Sequence, residues 1–377
     1  MNNNNNMNNT NNNEINKNNS IDLFDWGLTD SFHELYKSNH SDLHLGRVIF
    51  ESKNLYKIVA EEGELIGEIK GLINLHATGR EDFPAVGDWV VMDRGSNKTG
   101  NAIIMDILER KSMIKRRVAG NRLDTQIIAS NVDYIFICIA LNGDFNLRRL
   151  ERYLSIVWDS MATPVVILTK ADLCDDVDEK ISEVESIALG VDIHATSAIN
   201  DIGTEIINSY LGSGKTGTFI GSSGVGKSTL INNLIGHQHL ETNGLRNDDK
   251  GRHTTTHREL LSLPGGGVVI DTPGMRAIQV LDIDESINHA FEDVEALMLQ
   301  CKFSDCNHHT EPGCAIKRAL KTGELSESRY ANYLQLKKET EYLRRKMDKK
   351  AAGEYSQHFV KQTISRRKAK KFFKNAK

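Results

Sequence analysis

The spacing of apolar positions changes three times along the chain. The opening shows no periodicity: thirteen of the first twenty residues are Asn, and so polar a stretch cannot bury enough surface to offset the entropy of ordering it. A disordered, low-complexity leader is expected there. A short helical or irregular lead-in follows from Ile21-Asp22-Leu23-Phe24-Asp25-Trp26 to residue 42. From Leu43 to Lys115 the apolar residues fall into short β-like runs, at Gly46 to Glu51, Leu55 to Ala60, Leu65 to Gly71, Asp88 to Asp93 and Ala102 to Leu108, punctuated by Gly63, Gly71, Gly87 and Gly95. Near Asn131 the pattern lengthens. Tyr134 to Leu141 is almost continuously apolar, as a parallel strand buried on both faces requires. Helical spacing over Leu147 to Met161, a strand at Pro164 to Leu168, a helix at Glu179 to Leu189 and a strand at Val191 to Ala195 then alternate. Thr216 to Ile220 reads as a strand, Ser228 to Ile235 as a helix, and Arg258 to Leu263 with Val268 to Asp271 as a hairpin around Pro264-Gly265-Gly266-Gly267. Beyond Asp284 the chain is helical and polar.

These patterns predict a multidomain protein: a leader and lead-in over 1–42, an all-β barrel over 43–118, an α/β domain over 119–282, and a mainly helical domain over 283–377. A five-stranded barrel of this size fits an OB-fold best, and such barrels often bind nucleic acid, although a structural or protein-binding module is equally compatible. The basic run Arg110-Lys111 and Lys115-Arg116-Arg117 at its exit points toward RNA. The net charge of −4 conceals an asymmetry. Lys337 to Lys377 holds fifteen Lys or Arg against four acids, a formal +11, which leaves −15 on residues 1–336. No apolar run reaches the length of a membrane span, and the polar start lacks the apolar region of a secretory signal. A cytoplasmic monomer without membrane contact is expected. Of five cysteines, three crowd between Cys301 and Cys314, which suggests a metal rather than a disulfide framework.

Candidate chemistry concentrates at the ends of the α/β strands. Gly221-Ser222-Ser223-Gly224-Val225-Gly226-Lys227-Ser228-Thr229 fits G-x-x-x-x-G-K-[ST] between a strand and a helix. There, small residues let backbone N–H groups turn inward around a polyphosphate, and the helix N-terminus adds partial positive charge. Lys227 would reach the β- and γ-phosphates, and Ser228 would ligate Mg²⁺. The plainer alternative is a glycine-rich turn that starts a helix. Thr169-Lys170-Ala171-Asp172, directly after a strand, resembles the [NT]-K-x-D motif of guanine-nucleotide-binding proteins. Its aspartate accepts from the N1–H and N2–H₂ of guanine, donors that adenine lacks, and a buried carboxylate deprived of donors is costly. Lys170 would lay its stem along the base. Asp271-Thr272-Pro273-Gly274 resembles D-x-x-G, with Asp271 reaching Mg²⁺ through water and the Gly274 N–H touching the γ-phosphate. Thr255, within Thr254-Thr255-Thr256, resembles the threonine that completes the Mg²⁺ shell, and Ser197-Ala198 the loop that meets guanine O6.

In an ordinary GTPase the phosphate loop comes first, whereas here the guanine motifs precede it. A parallel sheet holds ligands at its strands' carboxyl ends whichever connections are cut, so a circular permutation can preserve the site. Cys301-x₄-Cys306-x-His308-x₅-Cys314 offers three thiolates and an imidazole, enough for one structural Zn²⁺ per chain, with His309 as an alternative ligand and free cysteines as the plain reading. Together, barrel, T-K-A-D, G-S-S-G-V-G-K-S-T, D-T-P-G and C-K-F-S-D-C-N-H-H-T-E-P-G-C resemble the RsgA family, bacterial GTPases that depend on the small ribosomal subunit. The resemblance runs from about Leu43 to the C-terminus. It implies an N-terminal OB-fold, a circularly permuted GTPase domain, a zinc domain, GTP and GDP as ligands, and binding to the small subunit and its rRNA. It also implies GTP hydrolysis stimulated by that subunit, late in its maturation. Two other readings are a nucleotide-gated binding module with incidental hydrolysis, and a permuted GTPase acting on the large subunit. Met275 stands where many GTPases place a water-orienting Gln, so intrinsic turnover should be slow. His253, just before the threonine run, is the candidate to orient the attacking water.

Overall fold

The computed structural model describes residues 20–52, 55–69, 73, 77, 79–117, 125–200, 202–236, 258–272, 290–303, 305–308 and 311–340. The Asn-rich leader, the segment with His253 and Thr255, Gly274 and Met275, His309 and the basic tail from residue 341 lie outside the described residues.

The lead-in contains helix α1, Asp30–His40, which buries Phe32. Five strands follow: β1 His44–Ser52, β2 Leu55–Ala60, β3 Gly63–Ile69, β4 Trp89–Met92 and β5 Ala102–Ile107. They run in the order β1-β2-β3-β5-β4, and β4 pairs back onto β1, so the barrel closes and leaves no edge. Alternate residues Val48, Ile58, Leu65, Val90, Met92 and Ile104 point inward and fill it. This is the predicted OB-like barrel. β1 pairs with β4 from His44 to Arg47, its register against β2 shifts between Val48 and Phe50, and Phe50 pairs with Glu259 of the next domain.

Behind the barrel, β6 Met113–Arg117 and β7 Thr125–Ser130 form an antiparallel pair of their own. The α/β domain then lays out β8 Tyr134–Ala140, α2 Leu147–Asp159, β9 Thr163–Thr169, α3 Val177–Glu185, β10 Asp192–Ala195, α4 Thr204–Tyr210, β11 Thr216–Gly221, α5 Lys227–Ile235, β12 Glu259–Ser262 and β13 Val268–Asp271. Strand order is β10-β9-β8-β11-β13-β12. The first five are parallel, and β12 joins β13 antiparallel, as the predicted hairpin requires. Ile135 to Ala140 and Pro164 to Thr169 are buried throughout, which accounts for their unbroken apolar runs.

The C-terminal region carries α6 Glu292–Leu299 and α7 Ala315–Thr322, then α8, helical through residues 327–340. It packs on α2 through buried charge. Arg329 donates to Glu151 Oε1 at 2.6 Å and forks onto both oxygens of Asp293 at 2.6 and 2.7 Å. Asn332 bonds the other oxygen of Glu151, and Arg152 pairs with Glu339 at 2.8 Å.

The basic run at the barrel exit is partly paired with acids. Arg110 pairs at 2.6 Å with the fully buried Asp88 and donates to the Glu81 and Phe83 carbonyls. Lys111 pairs with Asp133 at 2.8 Å and Lys115 with Glu81 at 3.5 Å. Of these three cations Arg110 is engaged inside the fold, while Lys111 and Lys115 form ion pairs at the surface.

Candidate nucleotide site and metal cluster

The carboxyl edge of the sheet gathers the motif residues. β11 is buried along its whole length and delivers Gly221 with φ +147, where a side chain would run into the Cys138 carbonyl of β8. Gly224 and Gly226 also have positive φ, at +75 and +106, so this loop needs glycine for its path and not only for its size. Gly226 starts α5, and among the described residues no side chain caps that helix. A helix start without a side-chain cap can turn its N–H groups toward a ligand's oxygens. Lys227 Nζ folds back onto the carbonyls of Gly221 at 2.9 Å and Ser222 at 2.8 Å. Ser223 and Gly224 are exposed, Val225 is buried in the core under the loop, and Ser228 and Thr229 are half-buried at the helix start.

The T-K-A-D segment lies beside this loop. Thr169, the last residue of β9, donates at 2.6 Å to the Val225 carbonyl, so it ties the T-K-A-D turn to the glycine-rich loop. Lys170 then adopts a left-handed conformation, φ 59 and ψ 40, and Ala171 to Leu173 form a single 3₁₀ turn. Asp172 accepts from the Ser197 hydroxyl at 2.6 Å. Ser197 is buried, and its loop is held by Ala171 N–H to Thr196 O at 3.1 Å and Thr196 N–H to Leu168 O at 2.8 Å. Ala198 offers its carbonyl to Asn233 at 3.5 Å. One expectation changes: Asp172 is exposed rather than buried, because a turn at a strand end faces solvent until a flat ligand lies over it. Asp271 ends β13, and the Thr272 hydroxyl donates to Phe219 O at 3.5 Å, so D-T-P-G enters alongside the phosphate-loop strand. His253, Thr255 and Gly274 fall outside the described residues.

Sequence reasoning missed a neighbour of the phosphate loop. The loop from β8 to α2 turns through Asn142, whose side chain accepts from Asp144 N–H at 3.0 Å, and Asn146 caps α2 by accepting from Arg149 N–H at 3.0 Å. Between them Asp144 Oδ2 accepts from Ser222 Oγ at 2.6 Å and from Arg149 Nη1 at 2.7 Å. The signal was present as the Asx-turn and cap spelling Asn-x-Asp-x-Asn directly after an apolar strand.

Cys301, Cys306, His308 and Cys314 lie together, with ligand atoms all within 4.8 Å of one another. The Cys301 and Cys314 sulfurs are 4.0 Å apart, and His308 Nδ1 stands 3.6 and 3.5 Å from them. A tetrahedral ion with metal–sulfur bonds of about 2.3 Å and metal–nitrogen bonds of about 2.0 Å sets those edges near 3.8 and 3.5 Å, so the donors fit one. Cys314 starts α7, where its sulfur accepts from Lys317 N–H at 3.5 Å, and Cys301 accepts from Ala315 N–H at 3.4 Å. Desolvation raises the Cys301 thiol, but the Ala315 and Ile316 N–H groups outweigh it and bring its pKa below the ordinary value. Cys306 is pushed up to about 11 by desolvation and by the neighbouring sulfurs, a repulsion that a cation would cancel.

A parallel sheet with a phosphate loop on the central strand β11, the D-x-x-G segment on its neighbour β13 and the T-K-x-D segment on β9, beyond β8 on the other side, defines a P-loop GTPase domain, here in permuted chain order. The RsgA GTPase family model matches residues 107–281. A small ribosomal subunit biogenesis GTPase RsgA 1 from Oceanobacillus iheyensis is 45% identical over 326 residues, covering 86% of this chain and 93% of that protein. The crystal structure of YjeQ from Thermotoga maritima aligns with a TM-score of 0.58 and 29% identity, over 78% of this chain and 97% of that one. YloQ, described as a circularly permuted GTPase, aligns with a TM-score of 0.55 and 25% identity, over 82% and 97%. The chain belongs to the RsgA family of GTPases.

Proposed function

We propose that this chain hydrolyses GTP while bound to the small ribosomal subunit, late in that subunit's biogenesis. The observation that supports the nucleotide reading is the bond from Thr169 to Val225, which ties the T-K-A-D turn to the loop of the G-x-x-x-x-G-K-[ST] motif. The subunit is the partner named for the Oceanobacillus relative. In this reading Asp172, held by Ser197, accepts the two guanine donors, and Lys170 covers the base. The N–H groups from Ser222 to Thr229 surround the phosphates, and Lys227 leaves its two carbonyls for them. Mg²⁺ would be held by Ser228 and Thr255, with Asp271 acting through water, and would supply charge neutralisation between the β- and γ-phosphates. Gly274 contributes an N–H to the γ-phosphate, and His253 orients the attacking water. The Cys301, Cys306, His308 and Cys314 set holds one structural Zn²⁺.

The domain boundaries proposed are 43–118 for the barrel, 119–282 for the GTPase and 283–377 for the zinc domain and tail. Among the described residues no helix is long and apolar enough to cross a membrane, and a monomer in the cytoplasm is the simplest form. Because Met275 cannot orient water, turnover by the free chain should be slow, and isolated small subunits should raise it by at least tenfold. Phosphate release measured with and without purified small and large subunits tests this. Equal rates in all three conditions would leave the chain a nucleotide-gated binder.

A further inference from the structure

The geometry points to Asp144 as a positioning residue for the nucleotide site: it fixes the entry of the phosphate loop through Ser222. The inference rests on the nucleotide-binding reading above and deepens it. Ser222 is the first residue after Gly221, and the carbonyls of those two residues are where Lys227 docks, at 2.9 and 2.8 Å. The same stretch of backbone must present its N–H groups to the α- and β-phosphates. Its side chain is not free to rotate, because Oγ donates to Asp144 Oδ2 at 2.6 Å.

Asp144 is itself held from two sides. Arg149 Nη1 donates to the same oxygen at 2.7 Å, and the Asp144 N–H is turned onto Asn142. Arg149 projects from the first turn of α2, whose cap is Asn146. The hydrogen bonds from Arg149 and Ser222 keep the Asp144 carboxyl below the usual carboxylate range, so it is an acceptor at neutral pH, and Lys170 of the guanine loop adds to the effect. A carboxylate so close to a phosphate loop would repel the ligand if it were bare. Arg149 offsets that charge while sharing Oδ2 with Ser222. Preorganising the loop in this way spares a nucleotide the entropy of ordering it. The benefit is the same for a diphosphate and a triphosphate, because the contacts concerned are with the α- and β-phosphates.

The test uses the full chain and fluorescent mant-GDP and a mant-labelled non-hydrolysable GTP analogue. Ser222→Ala and Asp144→Ala should each weaken both nucleotides by about tenfold, the loss of one charge-assisted hydrogen bond. Asp144→Asn should fall between them and the parent, and Ser222→Thr, which keeps the hydroxyl, should bind like the parent. The double variant Ser222→Ala/Asp144→Ala should be no weaker than either single by more than about twofold, because both remove one interaction. Ser222→Ala keeps the test intact if Asp144→Ala fails to fold. Single variants within twofold of a tight-binding parent, or a double variant whose losses multiply, would overturn the inference alone. A parent that binds no guanine nucleotide would overturn the nucleotide reading with it.

Discussion

Lys170 holds φ 59, a left-handed conformation that costs a residue bearing a Cβ about 1–2 kcal/mol. The strain turns the chain sharply off β9, so that Asp172, two residues on, reaches the Ser197 hydroxyl instead of continuing the strand. Ser197 and guanine thus address the same carboxylate, one from the side and one, in the proposed complex, from the ligand face. Asp172→Asn should weaken GTP and shift preference toward xanthosine triphosphate, because an amide presents a donor where the carboxylate accepts. Competition binding with both nucleotides checks it, and an unchanged GTP affinity with no gain for the xanthine form would remove Asp172 from the base site. At this scale the sequence was most legible. G-S-S-G-V-G-K-S-T and T-K-A-D are spelled by local geometry: glycine where φ is positive, a carboxylate at a fixed offset from a strand end. The Thr169 bond to Val225 was not legible, since the two residues are 56 positions apart. Nor was the exposure of Asp172, which depends on how far its turn stands out from the sheet.

Among the elements, the long apolar strands and the amphipathic α2 followed directly from their periodicity. The β6/β7 pair and α4 were passed over. Met113 to Arg117 is basic and joins no large sheet, and α4 spans seven residues, Thr204–Tyr210, too few for a helical period to stand out. The ion pairs of the basic run near Arg110 were not legible for a related reason: its partners Asp88, Asp133 and Glu81 come from other strands and turns, and the pairing exists only after folding. The metal cluster is the element-scale case with an immediate test. Cys314 starts α7, which buries Ala315, Ile316 and Ala319, and Cys301 follows α6. A metal at the four donors would therefore fasten two short helices that propensity alone would not hold. Elemental analysis should give about one zinc per chain, and Cys306→Ser should lose it. Chelation should lower the thermal midpoint of the parent by several degrees and leave Cys306→Ser unmoved. A parent without metal, or a serine variant as fully loaded, would show the cluster to be free thiols.

The whole molecule is stitched across the barrel and the GTPase sheet by Arg47 of β1. It is fully buried, and it donates to the carbonyls of Trp26, Gly87 and Asn131 and, at 2.9 Å, to the hydroxyl of Thr216, where the phosphate-loop strand begins. Its guanidinium also stacks 5.2 Å over the Trp89 ring. Burial pulls its pKa down to about 10 against the opposing pull of Asp133 and Asp88, so it stays charged at neutral pH and its desolvation must be offset by those bonds. Gly27, with φ +86, keeps the lead-in close, because a side chain there would occupy the space of the guanidinium. A second tie lies nearby, where Phe50 of β1 pairs with Glu259 of β12, the strand entered directly from the segment that holds His253 and Thr255. The barrel is thus built into the sheet that carries the nucleotide site, and Arg47 is its main polar attachment. Arg47→Met would fill most of the space but take the guanidinium donors from Trp26, Asn131 and Thr216, while the Gly87 carbonyl keeps Asn131 Nδ2, at a cost of about 3 kcal/mol. Arg47→Lys would keep the charge but satisfy fewer acceptors, at roughly half that cost. In a Trp26→Phe/Trp158→Phe background, which leaves Trp89 of the barrel as the one tryptophan, urea unfolding followed separately by its fluorescence and by release of bound mant-GDP, which reports on the GTPase domain, reads the consequence. In the parent the two transitions should coincide. In Arg47→Met they should separate, with the barrel signal changing at lower urea while nucleotide remains bound. Coincident transitions in the variant would mean that apolar packing across the seam, rather than Arg47, makes the two domains one cooperative unit.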